Sequence, residues 1–275
     1  MNRRNNKESE LTSFTELKGP NDYSVPVLKV EDKKGMPKVI VFGYACHATV
    51  LDGYQWSGDY PGFAQLELEN NYQGVTAMFF QGAGGDQNPL PRRTISLARQ
   101  YGKELASAVE CVLHEKMNKL SSKLGTAYSE IGLKYAKSKY SVKEQLSKVV
   151  EGTSDYPDYL KRNTKFILDK LEGREDLNTS SYPYPVQVWT IGEQLVIALG
   201  GELLSGYAIR LKKMFGQHIF VLGYCNDVPG YIPTAKVLEE GGYEGSRPPI
   251  FPLLWAPDIE ETIVNEVSRL VPFVW

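Results

Sequence analysis

Cysteine is scarce: Cys46, Cys111 and Cys225 are the three in the chain, too few and too scattered for a disulfide framework or a CxxC zinc site. Long apolar runs are missing too. No stretch approaches the roughly 20 residues that span a bilayer, and Met1 to Glu10 is polar and charged, with no hydrophobic signal core. As written, the chain is expected to stay where it is made. Charge of one sign is not in excess either. With 31 basic against 33 acidic residues and a formal net charge of −2, there is no broad field for nucleic acid or an anionic membrane, which argues against nucleic-acid binding. Internal repeats and low-complexity tracts are absent.

What remains is an ordinary globular composition, 42% hydrophobic and 23% charged over 275 residues, long enough to bury a substantial core. Val39 to Ala45 is a continuous apolar run of strand length, and His47 follows it directly. Ser57-Gly58-Asp59-Tyr60-Pro61 carries a capping residue and an early proline, and Phe63, Leu66, Leu68 and Tyr72 continue with roughly helical spacing. Val75 to Phe80 is a second buried strand, so the segment reads as a βαβ unit with both strand ends on one edge. His47 and the glycine-rich stretch Gly82 to Pro89 should therefore be neighbours.

Further along, Ala98, Tyr101, Leu105, Ala108, Val109 and Val112 predict a helix from Thr94 to about Asn118. Residues 121–174 alternate short strand-like pieces with lysine-rich helix candidates and read as a surface insertion. A hairpin is expected over Pro185 to Ile191 and Leu195 to Leu199, then a helix over Leu203 to Phe215 and a strand over His218 to Tyr224. A proline-rich passage, Pro248 to Pro257, precedes a last helix from about Asp258 to Leu270. The expected fold is α/β: a mixed β-sheet with a parallel βαβ core and helices on its faces, in one domain.

Polar motifs recur just past these strands. They are Ala45-Cys46-His47-Ala48-Thr49, Gly85-Asp86-Gln87-Asn88-Pro89, Gly200-Gly201-Glu202, and Gly230-Tyr231-Ile232-Pro233-Thr234 followed by Tyr243-Glu244-Gly245. In open α/β sheets ligands gather outside the carboxyl ends of strands, so these motifs suggest one shared site. Each residue also has a plain structural reading: His47 as a satisfied histidine after a buried strand, Glu202 as an acidic helix opener, Gly82 to Gly85 as a turn.

Taken together with Trp56 to Gly62, and in this order, the motifs resemble the neutral/alkaline (non-lysosomal) ceramidase family. The spacing of twelve between Tyr231 and Tyr243 is part of the likeness. The resemblance implies a zinc amidohydrolase that splits the amide of an N-acylsphingosine-like lipid into a sphingoid base and a fatty acid. Carried over residue by residue, it implies His47, Glu202 and Tyr231 as ligands of Zn2+, Tyr243 as a second active-site tyrosine, and Arg3 of Asn2-Arg3 as a substrate-facing group. The family's Gly-Asp-x-Ser-Pro segment carries its proposed nucleophile, and here Asn88 stands at the serine position. The resemblance further implies another zinc histidine in a region before Met1, no counterpart of the family's C-terminal β domain, and a secreted or periplasmic setting for a full-length protein.

Zinc takes nitrogen and oxygen ligands and lowers the pKa of a bound water to about 7, so attack on an amide carbonyl would need no serine. Asn88 or Tyr243 would then donate to the developing oxyanion, with Asp86 and Asp59 as supporting carboxylates. The expected partner is a small lipid amide, reached by peripheral contact with a membrane. Two other readings stay open: a related metal-dependent hydrolase with a different amide or ester substrate, and a non-catalytic truncated homologue.

Overall fold

The computed structural model describes residues 1–4, 19–152, 156–173, 180–246, 250 and 252–275. The proline-rich passage from 248 to 257 lies partly outside these. Strand β1 (Val27–Glu31) pairs antiparallel with β2 (Pro37–Tyr44), where Ile40 and Phe42 are wholly buried at alternate positions. Helix α1 (Asp59–Asn71) then leads into β3 (Thr76–Gln81), which pairs parallel with β2 from Val39↔Thr76 to Tyr44↔Gln81. The expected βαβ unit is present. Both strand ends emerge side by side, with His47 N–H donating to Gln87 O at 2.9 Å. Helix α2 (Ile95–His114), capped by Thr94, packs on α1 through Ala98, Leu105 and Val109. It stops short of the expected Asn118. Gly102 lets the two helices close up, because a Cβ there would lie 2.5 Å from Phe63 Cβ.

A second sheet has the order β4 (Leu124–Lys134), β5 (Ser181–Ile191), β6 (Gln194–Leu199), β8 (Phe220–Leu222). β5 and β6 are the expected hairpin, and β6 and β8 run parallel. Helices α5 (Ser205–Phe215) and α8 (Ile259–Leu270) contribute Tyr207, Leu211, Ile263 and Val267 to the core that Tyr184, Val186, Ile197 and Leu199 supply from the strands. Mixed sheets with parallel pairs and covering helices make this an α/β fold.

The segment expected as a surface insertion divides in two. β4 pairs antiparallel with β5 along its whole length and buries Leu133 completely, so it belongs to the main sheet. α3 (Val142–Glu151) and α4 (Asp158–Glu172) form a packed helix pair outside the sheet, touching the main core at Val142. The inward positions of β4 include Gly125, Ala127 and Ser129, whose small side chains carry little hydrophobic periodicity.

The two sheets meet where β3 and β8 end, through the Gly82↔Leu222 bridge and a 3.0 Å bond from Gly223 N–H to Gln81 O. A two-residue strand β7 (Glu202–Leu203) pairs parallel with β9 (Tyr231–Ile232) beside that junction. The helix expected from Leu203 therefore starts only at Ser205. Backbone pairing with β9 holds Glu202 and Leu203 extended, and Glu202 does not open a helix. Two short helices, α6 (Ala235–Glu240) and α7 (Gly242–Gly245), close the region.

Candidate active site

The His47 ring has two polar neighbours, and a buried carboxylate ties down the loop that follows it. The Gly85 carbonyl lies 2.9 Å from Nε2 and accepts from it whenever that nitrogen carries the ring proton. The Tyr224 hydroxyl lies 3.1 Å from Nδ1. Behind it, the buried Asp59 carboxylate accepts from the backbone N–H of Val50 at 3.2 Å and Leu51 at 2.8 Å. Asp59 thereby ties the loop after His47 to the start of α1. It does so from a left-handed backbone, φ 50°, that a non-glycine residue adopts only when its surroundings impose it.

Glu202 reaches the same place through β7. Its register partner in the β7–β9 pair is Tyr231, and its carboxylate interacts with the hydroxyls of Tyr231 and Tyr224. Glu202 Oε2 lies 3.8 Å from His47 Nε2. The loop that carries Gly85 presses against β7: Gly85 N–H donates to Leu203 O at 2.8 Å, and a Cβ on Gly85 would lie 2.5 Å from Glu202 O. Gly85→Ala is expected to push Glu202 away from His47 and to destabilise the fold by about 1–3 kcal/mol, the usual cost of overpacking. Urea unfolding measures it, and a variant as stable as wild type would mean that the contact relaxes freely.

Arg3 is a hub of contacts beside Tyr231 and Gly85. Its Nε donates to Glu244 Oε1 at 2.6 Å, and its Nη2 to the Tyr231 hydroxyl at 2.9 Å and Gly85 O at 3.1 Å. The guanidinium also stands 5.3 Å from the Tyr231 ring centre and 5.0 Å from that of Tyr243, within cation–π range. Asn88 is buried, and its Oδ1 lies 3.5 Å from Arg3 Nη1. Arg3, His47, Asn88, Glu202, Tyr231 and Tyr243 thus line one cavity of about 750 Å3. Asp86 does not line it. Its carboxylate is buried and takes Ser205 N–H, Ser205 Oγ and Asn2 Nδ2, all at 2.9 Å, so it pins the N-terminal segment that carries Arg3 to the start of α5.

Sequence reasoning assigned no role to Tyr224, Glu244, Arg4, Thr49 or Arg92. Glu244 sits inside a recognised motif, but only the fold shows that it meets two arginines. Tyr224 follows β8 with nothing local to distinguish it from the chain's other tyrosines.

Burial pulls the His47 imidazole down to about 4, and the Arg3 charge pulls the same way, while the bond to Gly85 O opposes both. The ring is therefore neutral, as ligation requires. An unfolded chain takes up this proton near 6.5, so between 6.5 and about 4 the unfolded state binds more protons than the folded one. Stability from the neutral ring is complete above 6.5 and is lost as pH falls towards about 4. The expected drop is about 3 kcal/mol across that window. Unfolding free energies of wild type and His47→Gln against pH check this, and equal slopes would refute it. Burial also holds the Tyr231 phenol above its ordinary value of 10, against Arg3, so it too is uncharged.

Among the described residues no three His, Cys, Asp or Glu side chains form a metal-holding group, so a site here must draw on Tyr231. One imidazole nitrogen, one carboxylate and one phenol oxygen fit a zinc-type cation in kind. The 3.8 Å between His47 Nε2 and Glu202 Oε2 is a span that two ligands about 2 Å from one ion can have.

No protein-family model and no curated protein matches the chain. Solved structures do. The crystal structure of neutral ceramidase from Pseudomonas aeruginosa matches over 89% of this chain and 45% of its own, with TM-score 0.64 and 16% identity. A ceramidase complexed with C2 matches over 91% and 49%, with TM-score 0.66 and 15% identity. This chain spans about half the length of each. At such identities the likeness is one of architecture, and by that measure the chain has the fold of the neutral ceramidase structures.

Proposed function

We propose that this cavity is the hydrolytic site of a zinc-dependent amidohydrolase acting on N-acylsphingosine-like lipids, a reading supported by the fold it shares with two ceramidase structures. The observation that carries the reading is the convergence of His47, Glu202 and Tyr231, from three separate strand ends, on one wall of one cavity. Those three residues would hold the ion, which when bound supplies an acidified water and a polarised carbonyl. Around it the chain's own groups orient the amide. Arg3 steadies the Tyr231 hydroxyl, and Tyr243 and Asn88 stand where they can donate to the carbonyl oxygen. Asp86 acts on the reaction by placing Asn2-Arg3 rather than by touching substrate. A second cavity, of about 430 Å3, shares Asn88 and is lined by Val25, Tyr44, Tyr60, Leu90 and Leu105, which suits an acyl chain.

Asn88 in place of a serine favours a second reading, a hydrolase of the same scaffold with a different amide or ester substrate. Elemental analysis of purified wild type and Glu202→Ala tests the metal, and product analysis on N-acyl lipids tests the substrate. The expected result is near one zinc per chain, lost in the variant together with turnover. No zinc in the wild type would overturn the reading.

A further inference from the structure

Among the described residues, five buried side-chain polar atoms have no partner: Arg4 Nε, Thr49 Oγ1, Arg92 Nε, Tyr135 OH and Thr164 Oγ1. Three of these five belong to residues that line the one cavity described above. Buried polar atoms are nearly always satisfied, so their concentration here marks a place prepared for something else. The three cationic residues differ in what holds them. Arg3 and Arg4 are both engaged by Glu244, and Arg4 also by Glu240. Arg92 has no ion pair among the described residues, whereas its neighbour Arg93 pairs with Asp52 at 2.8 Å. Arg93 N–H donates to Val50 O, which ties the chain at Arg92 to the chain at Thr49. An uncompensated guanidinium and an unpartnered hydroxyl therefore share the cavity that holds His47. Their chemistry is that of an oxyanion receptor, since the guanidinium fork matches carboxylate and phosphate and the hydroxyl adds a donor.

We propose that Arg92 and Thr49 form an oxyanion subsite, so that the preferred substrate is an N-acyl compound bearing a carboxylate or phosphate rather than a neutral amide. The substrate part rests on the hydrolase reading; the anion site does not.

Inorganic phosphate is the first probe, titrated calorimetrically into wild type, Arg92→Gln, Arg93→Gln and Glu202→Ala, each checked for folding by circular dichroism. Arg92→Gln should weaken phosphate at least tenfold and Arg92→Lys should recover part of it. Arg93→Gln should bind like wild type. Retained binding in Glu202→Ala shows that phosphate is held by the arginine and not by a metal. Unaltered phosphate affinity in Arg92→Gln, or none in wild type, overturns the subsite. The second arm compares hydrolysis of a phosphorylated and a neutral N-acylsphingosine. Arg92→Gln should raise KM for the phosphorylated one at least tenfold and leave the neutral one unchanged. If phosphate binding needs Arg92 but that KM does not move, the site takes free phosphate and the substrate assignment falls. If no N-acyl lipid is hydrolysed while phosphate still binds through Arg92, the hydrolase reading fails and the anion site stands.

Discussion

Glu244→Ala is expected to cost about 3–5 kcal/mol of folding stability, the range for removing one partner of a buried ion pair. The Glu244 side chain is 2% exposed, and its two oxygens take Arg3 at 2.6 Å and Arg4 at 2.5 Å. Truncation strands two guanidinium groups in a partly buried wall. It also frees Arg3 from the position in which it reaches the Tyr231 hydroxyl, so site geometry and stability should fall together. Burial pushes the Glu244 carboxyl up, but the hydrogen bonds from Arg3 and Arg4 outweigh it and hold it below 4.5. A carboxylate with a depressed folded pKa contributes stability that is present above 4.5 and is lost as pH falls through the folded value. Urea unfolding of wild type, Glu244→Gln and Glu244→Ala at neutral pH measures the effect, with the glutamine variant expected between the other two. A loss below about 1 kcal/mol, the value of an exposed pair, would show that water replaces the carboxylate without penalty.

Asp86→Ala should cost about 2–4 kcal/mol, because it leaves the buried Ser205 N–H without its acceptor and takes one of two acceptors from Ser205 Oγ and from Asn2 Nδ2, which keep the Pro20 carbonyl. Asn2 and Arg3 lie on one short segment, and Arg3 N–H donates to Asp86 O at 2.9 Å. The damage therefore reaches the cavity without Asp86 lining it. Differential scanning calorimetry gives the stability loss, and proteolysis of the N-terminal segment gives its release. Wild-type stability with loss of function alone would sink this structural role and return Asp86 to the chemistry.

The elements legible in the sequence were those with strong local signals. Val39 to Ala45 and Val75 to Phe80 are unbroken apolar runs bounded by polar turns, and both are strands to within a residue or two. The hairpin at Gly192-Glu193 was equally plain, since two apolar runs flank a short turn. β4 was not, because its inward positions are small, and the start of α5 was not, because pairing of Glu202-Leu203 with Tyr231-Ile232 overrides helix propensity there.

The candidate site divides in the same way. His47, Glu202, Tyr231, Tyr243, Asn88 and Arg3 were marked by residue type and motif, and one cavity receives all six. The sequence by itself determined which polar groups follow which strands, because strand and turn signals are local and the βαβ crossover sends both strand ends to one edge. The tertiary structure alone decided which of those groups meet. Tyr224 on His47, Glu244 between Arg3 and Arg4, Asp86 under Asn2 and Arg93 on Val50, which brings Arg92 to the Thr49 segment, all join residues distant in the chain. Such contacts depend on burial and on pairing between distant segments, which no local propensity encodes.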